Sequence, residues 1–206
     1  MMNFDILKNL NINLNTEIQE KLLLWQKIFL SYNSHTNLMS KNDTEILFEK
    51  HVYDSLAINL WQDYKNQKTI LDVGCGGGFP SVILAICFQD KKIIANDSRI
   101  KKINFIKEIK EKLKLNNLEI LYSRIEEAKP LKVNLVVSRA VGKMLDIYEL
   151  SKKHLNDSGK FLIYKAKSVE NEIKEFKNKY KNADFQVISY DLPLKENFER
   201  NLIVML

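Results

Sequence analysis

Thr69-Ile70-Leu71-Asp72-Val73-Gly74-Cys75-Gly76-Gly77-Gly78-Phe79-Pro80 is the stretch that decides the fold. A short apolar run ends in a glycine cluster, and an apolar helical pattern follows it. That order is a strand feeding a nucleotide-binding turn into a helix. Glycines let the backbone bend sharply and approach a ligand closely, because no side chain intervenes. Pro80 suits the first helical position, where its missing N–H costs nothing. The spacing is Asp-x-Gly-x-Gly-x-Gly. A dinucleotide fingerprint would need its third glycine one residue later, where Phe79 stands.

Downstream of this turn, strand and helix patterns alternate. Strand candidates cover 69–74, 91–97, 118–122, 133–139, 159–165, 184–190 and 200–205. Helix candidates cover 80–88, 99–115, 143–155 and 168–180, with a short one at 125–128. The alternation predicts a doubly wound, Rossmann-like α/β sheet of about seven mostly parallel strands. The last two strands are joined by residues 191–198 with no helix between them, so they are expected to pair antiparallel at the sheet edge. Upstream, residues 1–66 read as a helical extension of the 67–206 core, within a single domain. Ile18, Leu22, Trp25 and Phe29 form one apolar helical stripe, which Asn15 or Thr16 can cap. A second helical stretch runs from about Ile46 through His51, Asp54 and Ser55 to Trp61.

The chain has 206 residues, 45% of them hydrophobic, enough to bury a real core. Its net charge of +6 suits a polyanionic partner such as nucleic acid. Two cysteines make no disulfide framework. His35, His51 and His154 show no metal-ligand spacing with them, so no metal is expected. The apolar runs are too short to span a bilayer, and the N-terminus shows no signal-peptide pattern. A cytoplasmic location is expected.

Ligands in open α/β sheets sit beyond the carboxyl ends of the strands, near the topological switch point. At the first strand end, the phasing of Gly74, Gly76 and Gly78 is typical of S-adenosylmethionine (SAM) pockets, pointing to methyl transfer before hydride transfer. Asp72 can accept from the turn or the ligand, and Phe79 is placed to lie against the ligand. At the second, Asp97 is placed to accept both hydroxyls of a ribose diol, with Ser98 the better cap for the next helix. At the third, Ile125 and Glu126 are placed to cover an adenine. At the fourth, Arg139 is the only charge of an apolar strand, and a carboxylate or phosphate is its expected partner. The Asn/Asp-Pro-Pro-aromatic turn that grips an exocyclic amine is absent there. Cys75 reads as a small residue of the turn and Cys87 as core. His51 and Asp54, three apart, can pair on one helical face and tie the extension to the core.

These residues together resemble the bacterial 16S ribosomal RNA guanine-N7 methyltransferase G family, also called glucose-inhibited division protein B. The resemblance spans His51-Val52-Tyr53-Asp54-Ser55-Leu56, the glycine turn, Asp97-Ser98-Arg99-Ile100-Lys101-Lys102, Ser123-Arg124-Ile125-Glu126-Glu127, Val137-Ser138-Arg139-Ala140 and Tyr164-Lys165. It implies a class I SAM-dependent methyltransferase, with cofactor contacts carried onto Gly74, Phe79, Ile125, Glu126 and Arg139. It implies 16S ribosomal RNA or the small ribosomal subunit as partner. Ala166 stands where the family often has Gly, and Asn201 where it often has His. Arg99, Lys101, Lys102, Arg124, Arg139, Lys143, Lys165 and Arg200 are the candidate RNA contacts. A monomer is expected. Other readings left open are a methyltransferase for another RNA, a protein or a small molecule, a non-catalytic RNA-binding protein on this fold, and a nicotinamide oxidoreductase.

Overall fold

The computed structural model describes residues 2–166 and 169–205. Its strands are β1 (Thr69–Val73), β2 (Lys92–Asp97), β3 (Leu118–Tyr122), β4 (Val133–Arg139), β5 (Leu155–Lys165), β6 (Phe185–Leu192) and β7 (Phe198–Met205). They form one sheet in the order β3-β2-β1-β4-β5-β7-β6. β1 to β5 pair in parallel. β7 runs antiparallel between β5 and β6, which gives the expected antiparallel edge. The chain steps outward from β1 to β3 and then returns to β4 on the other side of β1. The carboxyl ends of β1 and β4 therefore flank the switch point, where such sheets bind ligands.

The helices are α1 (Thr16–Thr36), α2 (Lys41–Glu45), α3 (Tyr53–Leu56), α4 (Ser81–Cys87), α5 (Ile100–Leu113), α6 (Met144–Ser151) and α7 (Glu170–Lys179). Residue 168, the expected start of the last helix, lies outside the described residues. Asn15 caps α1, its side chain accepting from the Ile18 N–H at 2.9 Å. The apolar stripe of α1 is buried at Leu22, Trp25 and Phe29. Trp25 and Phe29 pack edge-on against Phe79, with ring centroids at 5.6 and 5.5 Å. One face of the sheet is thus covered by the N-terminal extension, α4 and α5, and the other by α6 and α7. Among the described residues, no helix is long and apolar enough to cross a membrane.

Four local expectations are corrected. Residues 125–128 form a turn, not a helix. Pro130 follows closely, lacks a donor and disfavours helical backbone at Lys129. β5 begins at Leu155, not at 159, because the register slips between Val133 and Leu135 and accommodates the extra residues. Asn156-Asp157-Ser158-Gly159 has turn composition and hides that start. α4 begins at Ser81 rather than Pro80, because the Asp72 carboxylate accepts from the Ser81 N–H at 3.0 Å. Ser98 does not cap α5. Asp97 Oδ1 instead accepts from the Arg99 N–H at 2.9 Å, just ahead of the first turn.

Candidate functional site at the switch point

A cavity of about 790 Å³ opens at the carboxyl ends of β1, β2 and β4, within the range of small-molecule sites. Its wall includes Gly74 and Gly76 of the glycine turn, Asp97, Ile125, Glu126 and Arg139. Residues 38–40, which follow α1, close another side. Composition and periodicity gave no sign of that last contribution. It depends on α1 being laid across the turn by its aromatic stripe.

The turn requires glycine where the backbone is left-handed. At Gly78, with φ +92°, a Cβ would sit 2.5 Å from Val82 Cγ2. At Gly76, with φ +55°, the nearest atoms to a Cβ would be the Gly74 carbonyl oxygen at 3.9 Å and Arg99 Nη2 at 4.0 Å. The two glycines therefore serve different ends. Gly78 lets α4 and α5 pack closely, whereas Gly76 leaves its face open to the cavity.

Asp72 is fully buried and serves the α4 N-terminus through Oδ2. Burial pushes its carboxyl up to about 7, opposed by its hydrogen bonding with Ser81. Cys75 is also buried, and burial raises its thiol well above the usual range. A protonated, enclosed thiol is a poor nucleophile. Asp97 is 3% exposed in its side chain and closed by Arg99. Burial works to raise its carboxyl, but the hydrogen bonds from Arg99 and Gly76 win and hold it below the carboxylate range.

Ile125 and Glu126 follow β3, as expected, in a segment tied down from behind. The buried His154 Nε2 lies 3.0 Å from the Ile125 carbonyl oxygen and donates to it. Asn96 Nδ2 donates to the Leu121 and Ser123 carbonyls at 3.0 and 2.9 Å. Sequence reading had no reason to single out these two supports, because each acts through backbone on another element.

Arg139 finds its carboxylate inside the chain. Its Nη1 donates to Asp54 Oδ2 at 2.8 Å, and its Nη2 lies 3.1 Å from His51 Nδ1. The guanidinium stands 5.0 Å from the Phe79 ring centroid, a cation–π contact. Phe79 is thus gripped between α1 and Arg139 as well as edging the cavity. His51 and Asp54 do not pair with one another as expected; both meet Arg139. Arg139 can only donate, so His51 Nδ1 accepts and its proton sits on Nε2. Burial, then the Arg139 charge, push His51 down to about 4, so its ring is neutral at pH 7.

Asp54 is the hub of this cluster. Tyr190 OH donates to its Oδ1 at 2.7 Å, and Arg200 donates through Nε at 3.0 Å and Nη2 at 3.3 Å. Burial opposes ionisation, but Arg139 and Arg200 overcome it and hold the carboxyl below its usual range. Arg200, expected from the sequence as an RNA contact, is engaged inside the molecule by Asp54. Four other expected RNA contacts are also engaged, besides Arg139. Lys143 Nζ reaches the Glu175 carboxylate at 3.3 Å. Arg99 clasps Asp97. Lys165 bonds the Gly142 carbonyl at 2.7 Å and Glu172 at 2.8 Å. Lys102 Nζ reaches the Leu38 carbonyl at 3.4 Å. Lys101 is exposed, and Arg124 is 68% exposed with Glu126 3.8 Å away. Among the described residues, no cluster of three or more His, Cys, Asp or Glu could hold a metal ion.

A family model described as GidB, rRNA small subunit methyltransferase G, matches residues 18–203. The chain belongs to that family. A GidB relative from Mycoplasma capricolum subsp. capricolum, named ribosomal RNA small subunit methyltransferase G, is 36% identical over 181 residues, covering 87% of this chain and 78% of its own. One of the same name from Fusobacterium nucleatum subsp. nucleatum is 34% identical over 203 residues, covering 96% and 86%. Among solved structures, an O-methyltransferase from Bacillus cereus in complex with SAH superposes with a TM-score of 0.60 at 12% identity, over 98% of this chain and 96% of that one. That likeness supports the class I methyltransferase fold. The His51–Asp54–Arg139 cluster is where the two GidB-like boxes of the sequence, sixth and fourteenth decades of the chain, come into contact.

Proposed function

We propose that this chain transfers the methyl group of SAM to N7 of a guanine in 16S ribosomal RNA of the small ribosomal subunit. The observation that carries the reading is the joining of the glycine turn to the His51–Asp54–Arg139 cluster at one cavity, in a chain of the GidB family. The residues present fit the cofactor. Gly76 leaves a face open for a nucleoside, Asp97 places a carboxylate, covered by the Arg99 guanidinium, at the second strand end, and Ile125 and Glu126 line the third.

When bound, SAM supplies a methyl group made electrophilic by the adjacent sulfonium. Guanine N7 carries an in-plane lone pair and no proton, so no side chain has to remove one. The site agrees with that demand. His51 is neutral with Nδ1 already accepting from Arg139, Asp97 is fully hydrogen-bonded, and Cys75 is an enclosed thiol. What the chain contributes is placement, which can supply about 7–11 kcal/mol in favourable cases. Arg139 is held on two sides, by Asp54 and His51, and covers Phe79, so the acceptor side of the cavity is rigid. The target guanine must be unpaired or flipped for its N7 to align with the methyl group. Lys101 and Arg124 are the exposed cations proposed to meet RNA phosphates. The reading places the protein on ribosomal RNA as a monomer in the cytoplasm.

The test is methyl transfer from labelled SAM to a panel of 16S RNA, assembly intermediates, mature small subunits and unrelated RNAs. Label confined to the small-subunit substrates and recovered as N7-methylguanine is expected. Label on another atom, or none on ribosomal RNA, overturns the reading.

A further inference from the structure

A carboxylate has about four acceptor positions, and at Asp97 all four are filled. Oδ1 accepts from the Arg99 backbone N–H at 2.9 Å and from Arg99 Nε at 3.0 Å. Oδ2 accepts from the Gly76 N–H at 3.0 Å and from Arg99 Nη2 at 2.9 Å. Two of these donors are backbone amides. The other two are the prongs of one guanidinium, a planar fork that matches a carboxylate. A ribose diol makes the same demand, since it offers two adjacent donors to an acid at this strand end. Asp97 is 3% exposed in its side chain and Arg99 63%, so the fork covers the acid from the solvent side. Its Nη2 also lies 4.0 Å from where a Gly76 Cβ would project, over the open face of the turn.

We infer that Arg99 is a resident competitor for the cofactor ribose. Its guanidinium occupies the diol's hydrogen-bond positions on Asp97 and must swing out before a nucleoside can seat. This rests on the SAM reading above. Only side-chain torsions need to change, because the Arg99 N–H can stay on Oδ1 while Nε and Nη2 leave. The acid then exchanges two donors for two and keeps its backbone pair. Arg99 thereby sets cofactor affinity instead of contacting RNA, the role its charge alone suggests. Salt screens a partly exposed ion pair and so weakens the competitor.

Calorimetric titration with S-adenosylhomocysteine and with its 2′,3′-dideoxy analogue, on wild type, Arg99→Leu and Arg99→Lys, tests this. Arg99→Leu is expected to bind S-adenosylhomocysteine roughly three- to tenfold more tightly, in keeping with the loss of a partly exposed ion pair. Arg99→Lys should fall between, because an ammonium cannot fork. The dideoxy analogue should show no gain, since it does not call on Asp97. Wild-type affinity for S-adenosylhomocysteine should rise with salt, and that of Arg99→Leu should not. Equal or weaker binding by Arg99→Leu, or the same gain with the dideoxy analogue, overturns the competitor role. Should Arg99→Leu fail to fold, the salt response of wild type and the affinity of Arg99→Lys decide the matter. If none of the proteins binds S-adenosylhomocysteine, the cofactor reading falls and this inference with it. If all bind equally, only the inference falls.

Discussion

At the scale of single residues, Gly76 and Arg139 are where the proposed site is most directly tested. Gly76→Asp would put a carboxylate on the open face of the turn, beside Asp97, in a left-handed backbone. A loss of SAM affinity of at least about 100-fold is expected, from like-charge repulsion and lost access. Unchanged affinity in a calorimetric titration would remove the proposed pocket. Arg139→Ala removes one of two arginines from Asp54, but Arg200 and Tyr190 still hold that carboxylate. The fold should survive, with a stability loss of about 1–3 kcal/mol, below the 3–5 typical of a buried charge stripped of its partner. Methyl transfer should fall by about tenfold or more. Full activity would show that Arg139 is only structural. His51 supplies a pH signature. Its folded-state value of about 4 lies below the 6.5 of the free side chain, so the unfolded chain binds more protons in that window. Stability therefore falls as pH falls through it, by about 1.4 kcal/mol per pH unit and on the order of 3 kcal/mol in all. Denaturant unfolding at pH 7 and pH 5 should show a smaller loss in His51→Gln than in wild type. Equal losses would mean that the ring is not held neutral among Arg139, Lys50, Asp43 and Asp54. Gly74, Gly76 and Asp97, which line the cavity, were visible as candidates, because glycine spacing and an acid after one βαβ unit are local signals. Gly78, expected to bind the cofactor, is not in the cavity wall and instead lets Val82 and Ile106 pack against the turn. The partners of Arg139 were not visible in this way. His51 and Asp54 were visible at helical spacing, yet only the fold brings Arg139 and Arg200 to them from 85 and 146 residues away.

At the scale of elements, the segment between β4 and α6 depends on α7. Glu172 Oε2 accepts from the Met144 N–H at 2.7 Å and pairs with Lys165 at 2.8 Å, while Lys165 holds the Gly142 carbonyl. Ala140, in this segment, has φ +59°, a conformation that needs such support. Glu172→Ala is expected to speed amide exchange at residues 140–144 and to raise the KM for SAM by several-fold. Unaltered exchange at those amides would show that the segment holds itself. The strands themselves were legible, since β1 is an apolar run that ends at the glycine turn, and β2 and β4 are apolar runs that end in polar or charged residues. The start of β5 was not, because a bulge with turn composition obscures it. The short helix after β3 was misread for a related reason. Ile125-Glu126-Glu127-Ala128 has helical composition, and Pro130 stops it after one turn.

At the scale of the whole molecule, the N-terminal region helps to build the candidate cavity. Its first long helix lays Trp25 and Phe29 on Phe79, its loop closes one wall, and its Asp54 ties together β4, β6 and β7. The sequence pattern marked this region as helical and attached. Its share in the site depends on packing between elements far apart in the chain, which no local pattern encodes. Four of the chain's 32 Lys and Arg side chains, Arg99, Arg139, Lys165 and Arg200, are paired with carboxylates around the cavity and its supports. The most direct measurement is a map of N7-methylguanine in 16S ribosomal RNA from cells lacking this gene, and from the same cells given back the wild-type or the Gly76→Asp protein. One N7-methyl mark lost on deletion, restored by wild type and not by Gly76→Asp, is the predicted result. A complete set of N7 marks in the deletion strain would contradict it.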